Sequence, residues 1–286
     1  MIEKNLLTLA ILEGIEKAEG CALCYLWVKS EESHMKHLLS NEVVMDSEFR
    51  EKVIAARGFC NRHAHLLYKA TYKGYTEDGL GYALYMKDVV RKIIDELAPL
   101  PANHLSDSNS FNKQTFLGKR RKKALSILGN KVKHAVQGRQ VCPACEFLWS
   151  MDQTRLYTLV QMLDDEDFRK EFASSNGLCL PHFVSAIQMV CASKLNNPVK
   201  VSRELIRVEK KRLQLVEDLL SEFVRKQSWD FRNEPAGPEV NANPFVLNLL
   251  FGAEGFTAKT TTLSKCNQKI DCEQIVNRAE KENKVN

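Results

Sequence analysis

One short arrangement of metal-type donors occurs twice in this chain, and no other feature limits so strongly what the chain folds into. Cys21 and Cys24 are followed by Gly58, Cys60 and His63; Cys142 and Cys145 are followed by Gly177, Cys179 and His182. Three thiolates and one imidazole complete a tetrahedral shell for zinc, and Cys-x-x-Cys and Cys-x-x-His each let one turn of chain grip one ion. The mixed donor set favours zinc over iron, although iron–sulfur ligation draws on similar thiolate spacings. Four protein donors fill the shell and keep no position for water, which argues for two structural ions rather than hydrolytic ones.

The repetition extends beyond the donors. The Cys-x-x-Cys pairs are offset by 121 residues and the Cys-x-x-His pairs by 119, and at the latter offset Asp46 matches Asp165, Phe49 matches Phe168, Arg50 matches Arg169 and Gly58 matches Gly177. Each aspartate is placed to cap a helix, and each glycine to end it just ahead of the second donor pair. The phenylalanines read as core anchors. The arginines are spaced to meet Asp46 and Asp165 across one helical turn.

Helical periodicity runs through most of the chain. Expected helices span about 4–18, 25–39, 46–57, 80–97, 116–136, 149–163, 166–176 and 202–226, with a short one at 245–251. Further helices start at the two Cys-x-x-His pairs, the second with Pro181 at a favoured first position. No stretch alternates as a strand does, so the fold is read as all-α, with two pseudo-repeated helical halves. The divisions are 1–98 for the first zinc-binding repeat, 99–115 for a Pro/Asn/Ser-rich linker, 116–252 for the second repeat and 253–286 for a tail. Each half is expected to carry one ion. The spacing leaves open whether the Cys-x-x-Cys of one half joins the Cys-x-x-His of its own half or of the other.

Composition narrows the functional classes. With 44% hydrophobic and 27% charged residues this is an ordinary globular composition, with no run long enough for a membrane span and no signal-peptide pattern at the start. A cytoplasmic protein follows, in which nine cysteines, an odd number, point to metal rather than to disulfides. No catalytic triad order, phosphate-cradling loop or spaced carboxylate pair emerges, which weighs against an enzyme. The net charge of +5 is uneven: between Ser108 and Cys145 there is no acidic residue and there are nine Lys or Arg, including Lys119, Arg120, Arg121, Lys122 and Lys123. Such a segment, 113–139, attracts nucleic acid or an acidic surface, or serves as a solvated helix face.

Other candidates carry less. Cys142-Pro-Ala-Cys145 resembles a redox dithiol, but the strand that precedes such a motif in thioredoxin-like folds is missing from the pattern. Cys191 reads as core, and Cys266 and Cys272 lie in the tail with too few further donors for a third site. His34 and His37 share a helix face without a carboxylate partner, His65 has no counterpart beside His182, and His104 and His134 read as exposed.

Together Cys21-Ala-Leu-Cys24, Met45-Asp46-Ser47-Glu48-Phe49-Arg50, Gly58-Phe59-Cys60-Asn61-Arg62-His63, Gly177-Leu178-Cys179-Leu180-Pro181-His182 and Trp229-Asp230-Phe231-Arg232-Asn233 resemble an uncharacterised prokaryotic family, the domain of unknown function 6062, up to about Gly252. The resemblance implies architecture and metal binding rather than an activity. The reading that results is a zinc-stapled helical scaffold or adaptor for an unknown protein partner. Its alternatives are a zinc-thiolate redox sensor or chaperone, and a nucleic-acid binder using the basic segment.

Overall fold

Asn5 opens the first helix. Its side chain accepts the Leu7 and Thr8 amides at 3.0 Å, and the Thr8 hydroxyl accepts the Asn5 amide at 2.9 Å, a reciprocal cap for α1 (Leu6–Lys17). In the computed structural model the chain continues through α2 (Ala22–His37), α3 (Asn41–Val44), α4 (Ser47–Ala56), α5 (Asn61–Thr71), α6 (Leu80–Leu97) and α7 (Phe116–Val136). There follow α8 (Pro143–Met162), α9 (Glu166–Ser174), α10 (Leu180–Ala192), α11 (Pro198–Lys226), a 3-10 turn at Pro238–Asn241 and α12 (Ala242–Phe251). The structure describes residues 5–72, 79–100, 116–138, 140–231 and 233–256, with the backbone alone for 116–124. Among the described residues there is no strand, and the fold is all-α. Most of the expected linker and nearly all of the expected tail lie outside the described residues.

Contacts divide the chain into two units, Met1–Ser30 with Leu148–Asn286, and Glu31–Phe147. Helix α2 begins in the former and ends in the latter; α8 does the reverse. Each unit contains one of the two donor groups described below. In the first unit Ile11, Leu23, Leu156, Leu159, Leu163, Phe172 and Leu205 are almost wholly buried, with α10 packed on α11 and α11 on α12. In the second, Leu38, Val53, Leu67 and Tyr85 fill a smaller core between α4, α5 and α6. Each such side chain contributes about 1.5–3 kcal/mol of burial. Tyr85 keeps its hydroxyl satisfied by donating to the Leu38 carbonyl at 2.8 Å.

The two expected aspartate caps are present. Asp46 accepts the Glu48 amide at 2.9 Å, and Asp165 accepts the Asp167 and Phe168 amides at 3.0 and 3.2 Å. Because those carboxylates face the helix N-termini, neither pairs with its arginine. Arg50 instead pairs with Asp88, and Arg169 donates to the Leu163 and Asp164 carbonyls at 2.8 Å. Phe168 is buried, and Phe49 packs edge-on against Tyr85. Cys191 is half-buried rather than in the core.

Helix ends differ from expectation in a telling way. Helix α9 stops at Ser174, three residues ahead of Gly177, where the Ser175 hydroxyl accepts the Gly177 amide. Helix α4 ends on two positive-φ residues in succession, Gly58 at φ 97° as expected and, before it, Arg57 at φ 61°, the one non-glycine residue with positive φ among the described residues. This conformation costs a residue with a Cβ about 1–2 kcal/mol. Three bonds hold it: Nε to the Ala135 carbonyl at 2.8 Å, Nη1 to the Ile54 carbonyl at 2.8 Å and Nη2 to Glu96 at 2.6 Å. Arg57→Ala is therefore expected to lower stability by about 2–4 kcal/mol in urea denaturation, and Arg57→Gly by about 1 kcal/mol less, since glycine removes the backbone strain along with the bonds. Equal losses would show that Arg57 is not strained.

Candidate metal centres

Each donor pair starts a helix. Cys60 and Cys179 are the N-cap residues of α5 and α10, and His63 and His182 are the third residues of those helices. Cys21 and Cys142 stand in the same relation to α2 and α8, their carbonyls accepting the Tyr25 amide at 3.1 Å and the Glu146 amide at 3.0 Å. Helix α2 thus begins at Ala22, earlier than the apolar cluster at Tyr25 suggests, and Cys24 and Cys145 fall in first turns. N-cap and third-residue side chains converge, as they do in a capping box. Here the Cys60 and Cys179 sulfurs make no cap bond to their own helices; they turn toward the opposite pair.

The pairs combine across the sequence halves. Cys21 and Cys24 meet Cys179 and His182, while Cys60 and His63 meet Cys142 and Cys145; within each group the four ligand atoms lie within 4.8 Å of one another. Each unit thereby holds one complete Cys-x-x-Cys plus Cys-x-x-His set, but not the set adjacent in sequence. In the first group His182 Nδ1 lies 3.4 Å from Cys21 Sγ, 3.4 Å from Cys24 Sγ and 3.1 Å from Cys179 Sγ. In the second, His63 Nδ1 lies 3.2 Å from Cys60 Sγ, 3.6 Å from Cys142 Sγ and 3.2 Å from Cys145 Sγ.

One nitrogen facing three sulfurs is not explained by hydrogen bonding, because Nδ1 carries at most one proton. In the first group even that proton is absent when the ring is neutral, for Nε2 bonds Asp152 Oδ1 at 2.9 Å and takes the donor role. Four electron-pair donors then face one point, an arrangement able to hold a metal ion. Without a cation the protons redistribute. Burial raises the Cys21 thiol, but the Cys179 and Cys24 sulfurs and His182 outweigh it and lower its pKa well below the ordinary value. Cys179, hydrogen-bonded to Cys21 and Cys24, is pushed up. The same split occurs in the second group, where bonds to Cys142 and Cys145 lower Cys60, bonds to Cys142 and Cys60 raise Cys145, and His63 rises to about 11 despite its burial. A bound cation would release these protons.

Two carboxylates outside the expected donors face the imidazoles. Asp152, 7% exposed, bonds His182. Glu31, 4% exposed, stands 3.2 Å from His63 Nε2, but at an angle that leaves that nitrogen without a formed hydrogen bond. Arg62 explains the difference by gripping Glu31 with Nε at 2.8 Å and Nη2 at 2.7 Å. Both carboxylates were legible in sequence: Asp152 lies 121 residues after Glu31, the offset of the Cys-x-x-Cys pairs, and each lies seven residues after the second cysteine of its helix, two turns along the same face.

A family model described as a family of unknown function (DUF6062) matches residues 2–243. The chain belongs to this family. Nothing among curated proteins or solved structures matches it. The match takes in all eight donors of this DUF6062 chain and stops short of the segment that covers the first group. There Ala253 donates its amide to Cys24 Sγ at 3.4 Å, and the Phe256 ring stacks 4.2 Å from that of His182. Gly252 makes the approach possible: at φ 81°, a Cβ there would lie 3.2 Å from Cys24 Sγ and 3.4 Å from Cys179 Sγ.

The remaining candidates stay apart. His34 is buried and stacks 3.9 Å from Phe147, with its pKa lowered to about 4 by burial, and His65 and His134 are exposed. Lys119 to Lys123 lie on α7, their side chains outside the described residues, as are His104, Cys266 and Cys272. No helix among the described residues is long and apolar enough to cross a membrane.

Beside the first group lies a charge that the sequence reading missed. Glu209, 2% exposed, interrupts the buried stripe of α11 between Leu205 and Val216, with Oε1 unpaired. A charged residue on an apolar stripe was the available signal. Burial, only partly offset by Arg212, pushes its pKa from 4.5 up to about 7. Because the folded value is raised, the contribution of Glu209 to stability is fullest below about pH 4.5 and falls as pH rises toward 7, by about 3 kcal/mol. Glu209→Gln is expected to flatten that slope in urea denaturation across pH 4.5–7; an unchanged slope would assign it elsewhere. For the imidazole partners, Asp152→Asn should weaken cobalt(II) binding, read from thiolate absorption, by about 10–100-fold, and Glu31→Gln by less. The opposite order would contradict the hydrogen-bond geometry.

Proposed function

We propose that this protein is a helical scaffold closed by two structural zinc ions, and that it acts as an adaptor by presenting helical surface to a protein partner. The observation that carries the zinc reading is the approach of each Nδ1 to three sulfurs at once. Tetrahedral zinc, at about 2.3 Å from sulfur and about 2.05 Å from nitrogen, sets separations of about 3.8 Å between sulfurs and about 3.5 Å between sulfur and nitrogen. The Sγ–Sγ contacts of 3.5 and 3.7 Å and Nδ1–Sγ contacts of 3.1–3.6 Å suit that geometry. Three thiolates and a carboxylate-oriented imidazole are a donor set that zinc accepts and magnesium or calcium does not.

A structural rather than catalytic role is supported by the completeness of each shell, four protein donors with the imidazoles almost wholly buried. The adaptor role is supported by a groove of about 740 Å³ between α11 and α12, lined by Leu213, Val216, Leu220, Val224, Val246 and Leu249. An apolar lining of this kind suits the side chains of another protein better than a polyanion.

Elemental analysis of protein purified without added metal is expected to give two zinc ions per chain. Cys179→Ser should give one, and its thermal midpoint should fall by about 10 °C or more, since metal binding energy is folding energy where the shell closes on folding. Metal-free protein, or a variant that melts as the parent does, would end the zinc proposal.

A further inference from the structure

We propose that Cys60 and Cys145 form a hydroperoxide-sensitive thiol pair, which closes to a disulfide while the Cys21, Cys24, Cys179 and His182 group stays intact. The inference deepens the zinc reading and rests on it for the ion that would be released.

The two groups share donor types but not protection. In the first, Cys21, Cys24, Cys179 and His182 are exposed by 6, 4, 1 and 0%, and the segment from Gly252 to Phe256 lies over them, with an amide bonded to one sulfur and a ring stacked on the imidazole. In the second, Cys142 and His63 are buried while Cys60 and Cys145 are both partly exposed. Those two sulfurs stand 3.7 Å apart, so a disulfide of about 2.05 Å needs them to close by less than 2 Å. Both belong to helix starts, Cys60 at the N-cap of α5 and Cys145 in the first turn of α8, which place the two side chains against each other. Their imidazole is also the more loosely oriented one, because Arg62 holds the carboxylate that would fix it.

The chemistry balances with a hydroperoxide as the oxidant. One exposed thiolate attacks a peroxide oxygen; the O–O bond breaks, a sulfenic acid forms and hydroxide leaves. The second thiolate attacks the sulfenic sulfur, the S–S bond forms, the S–O bond breaks and a second hydroxide leaves. Two protons convert the hydroxides to water, and the two electrons that reduce the peroxide come from the sulfurs. With two of its four donors tied together, the second group is no longer a complete shell.

The test takes full-length protein whose metal content has first been measured, adds one equivalent of hydrogen peroxide under native conditions, and follows released ion with a chromophoric chelator and linked peptides by mass spectrometry without reduction. The expected result is a Cys60–Cys145 peptide, release of one ion of two, and oxidation or alkylation of Cys21, Cys24 and Cys179 slower by about tenfold or more. In Cys145→Ser the Cys60 sulfenic acid should be trapped by dimedone; if that variant does not fold, the mapping on the parent protein decides. A first link joining Cys142 to Cys145, or equal oxidation of both groups, would overturn the proposal. A Cys60–Cys145 link in metal-free protein would sustain the thiol pair and remove the zinc reading, whereas two bound ions with no link would do the reverse.

Discussion

The rest of the structure depends on a helix start that also serves as half of a four-residue donor group. A helix leaves its first amides unpaired and carries about half a positive charge at that end. Placing a cysteine at the N-cap and a second donor at the third position turns two side chains toward one point and sets the favourable end of the helix dipole behind them. Two such starts face each other in each unit, α2 with α10 and α5 with α8. Opposing helix N-termini would repel, and thiolates between them would convert that repulsion into attraction.

Helices α2 and α8 extend this logic along their length. At its start α2 gives Cys21 and Cys24 to one group, and two turns later it gives Glu31 to the histidine of the other. Helix α8 gives Cys142 and Cys145 to that second group and Asp152 to the first. The cysteines and the carboxylate that serve a given group therefore come from different helices.

Much of this was written locally. Donor identity, the Asp46 and Asp165 caps and the amphipathic course of α6 and α11 depend on spacings within a few turns, which sequence displays directly. The pairing of Cys21 and Cys24 with Cys179 and His182 did not follow from spacing, because the choice between two chemically identical Cys-x-x-His pairs is settled by how distant helices pack. Arg57 shows another limit: glycine is the default left-handed residue, and only the tertiary partners Ala135 and Glu96 make arginine tenable there. Glu31 and Asp152 were visible at the shared offset, yet a carboxylate on a helix is so common that its burial had to be seen before it meant anything.

The exchanged pairing has a consequence for the order in which the chain is made. Cys24 is separated from His182 by 158 residues, and Cys60 from Cys145 by 85. During synthesis, Cys21, Cys24, Cys60 and His63 emerge together as a full donor set well before any of their true partners exist. An ion captured at that stage would sit in a non-native cage and would have to be handed on, ligand by ligand, once Cys142 and later Cys179 leave the ribosome. If zinc staples the finished protein, as proposed, it would also be a kinetic trap for the nascent one, with slow ligand exchange rather than helix formation setting the pace of maturation.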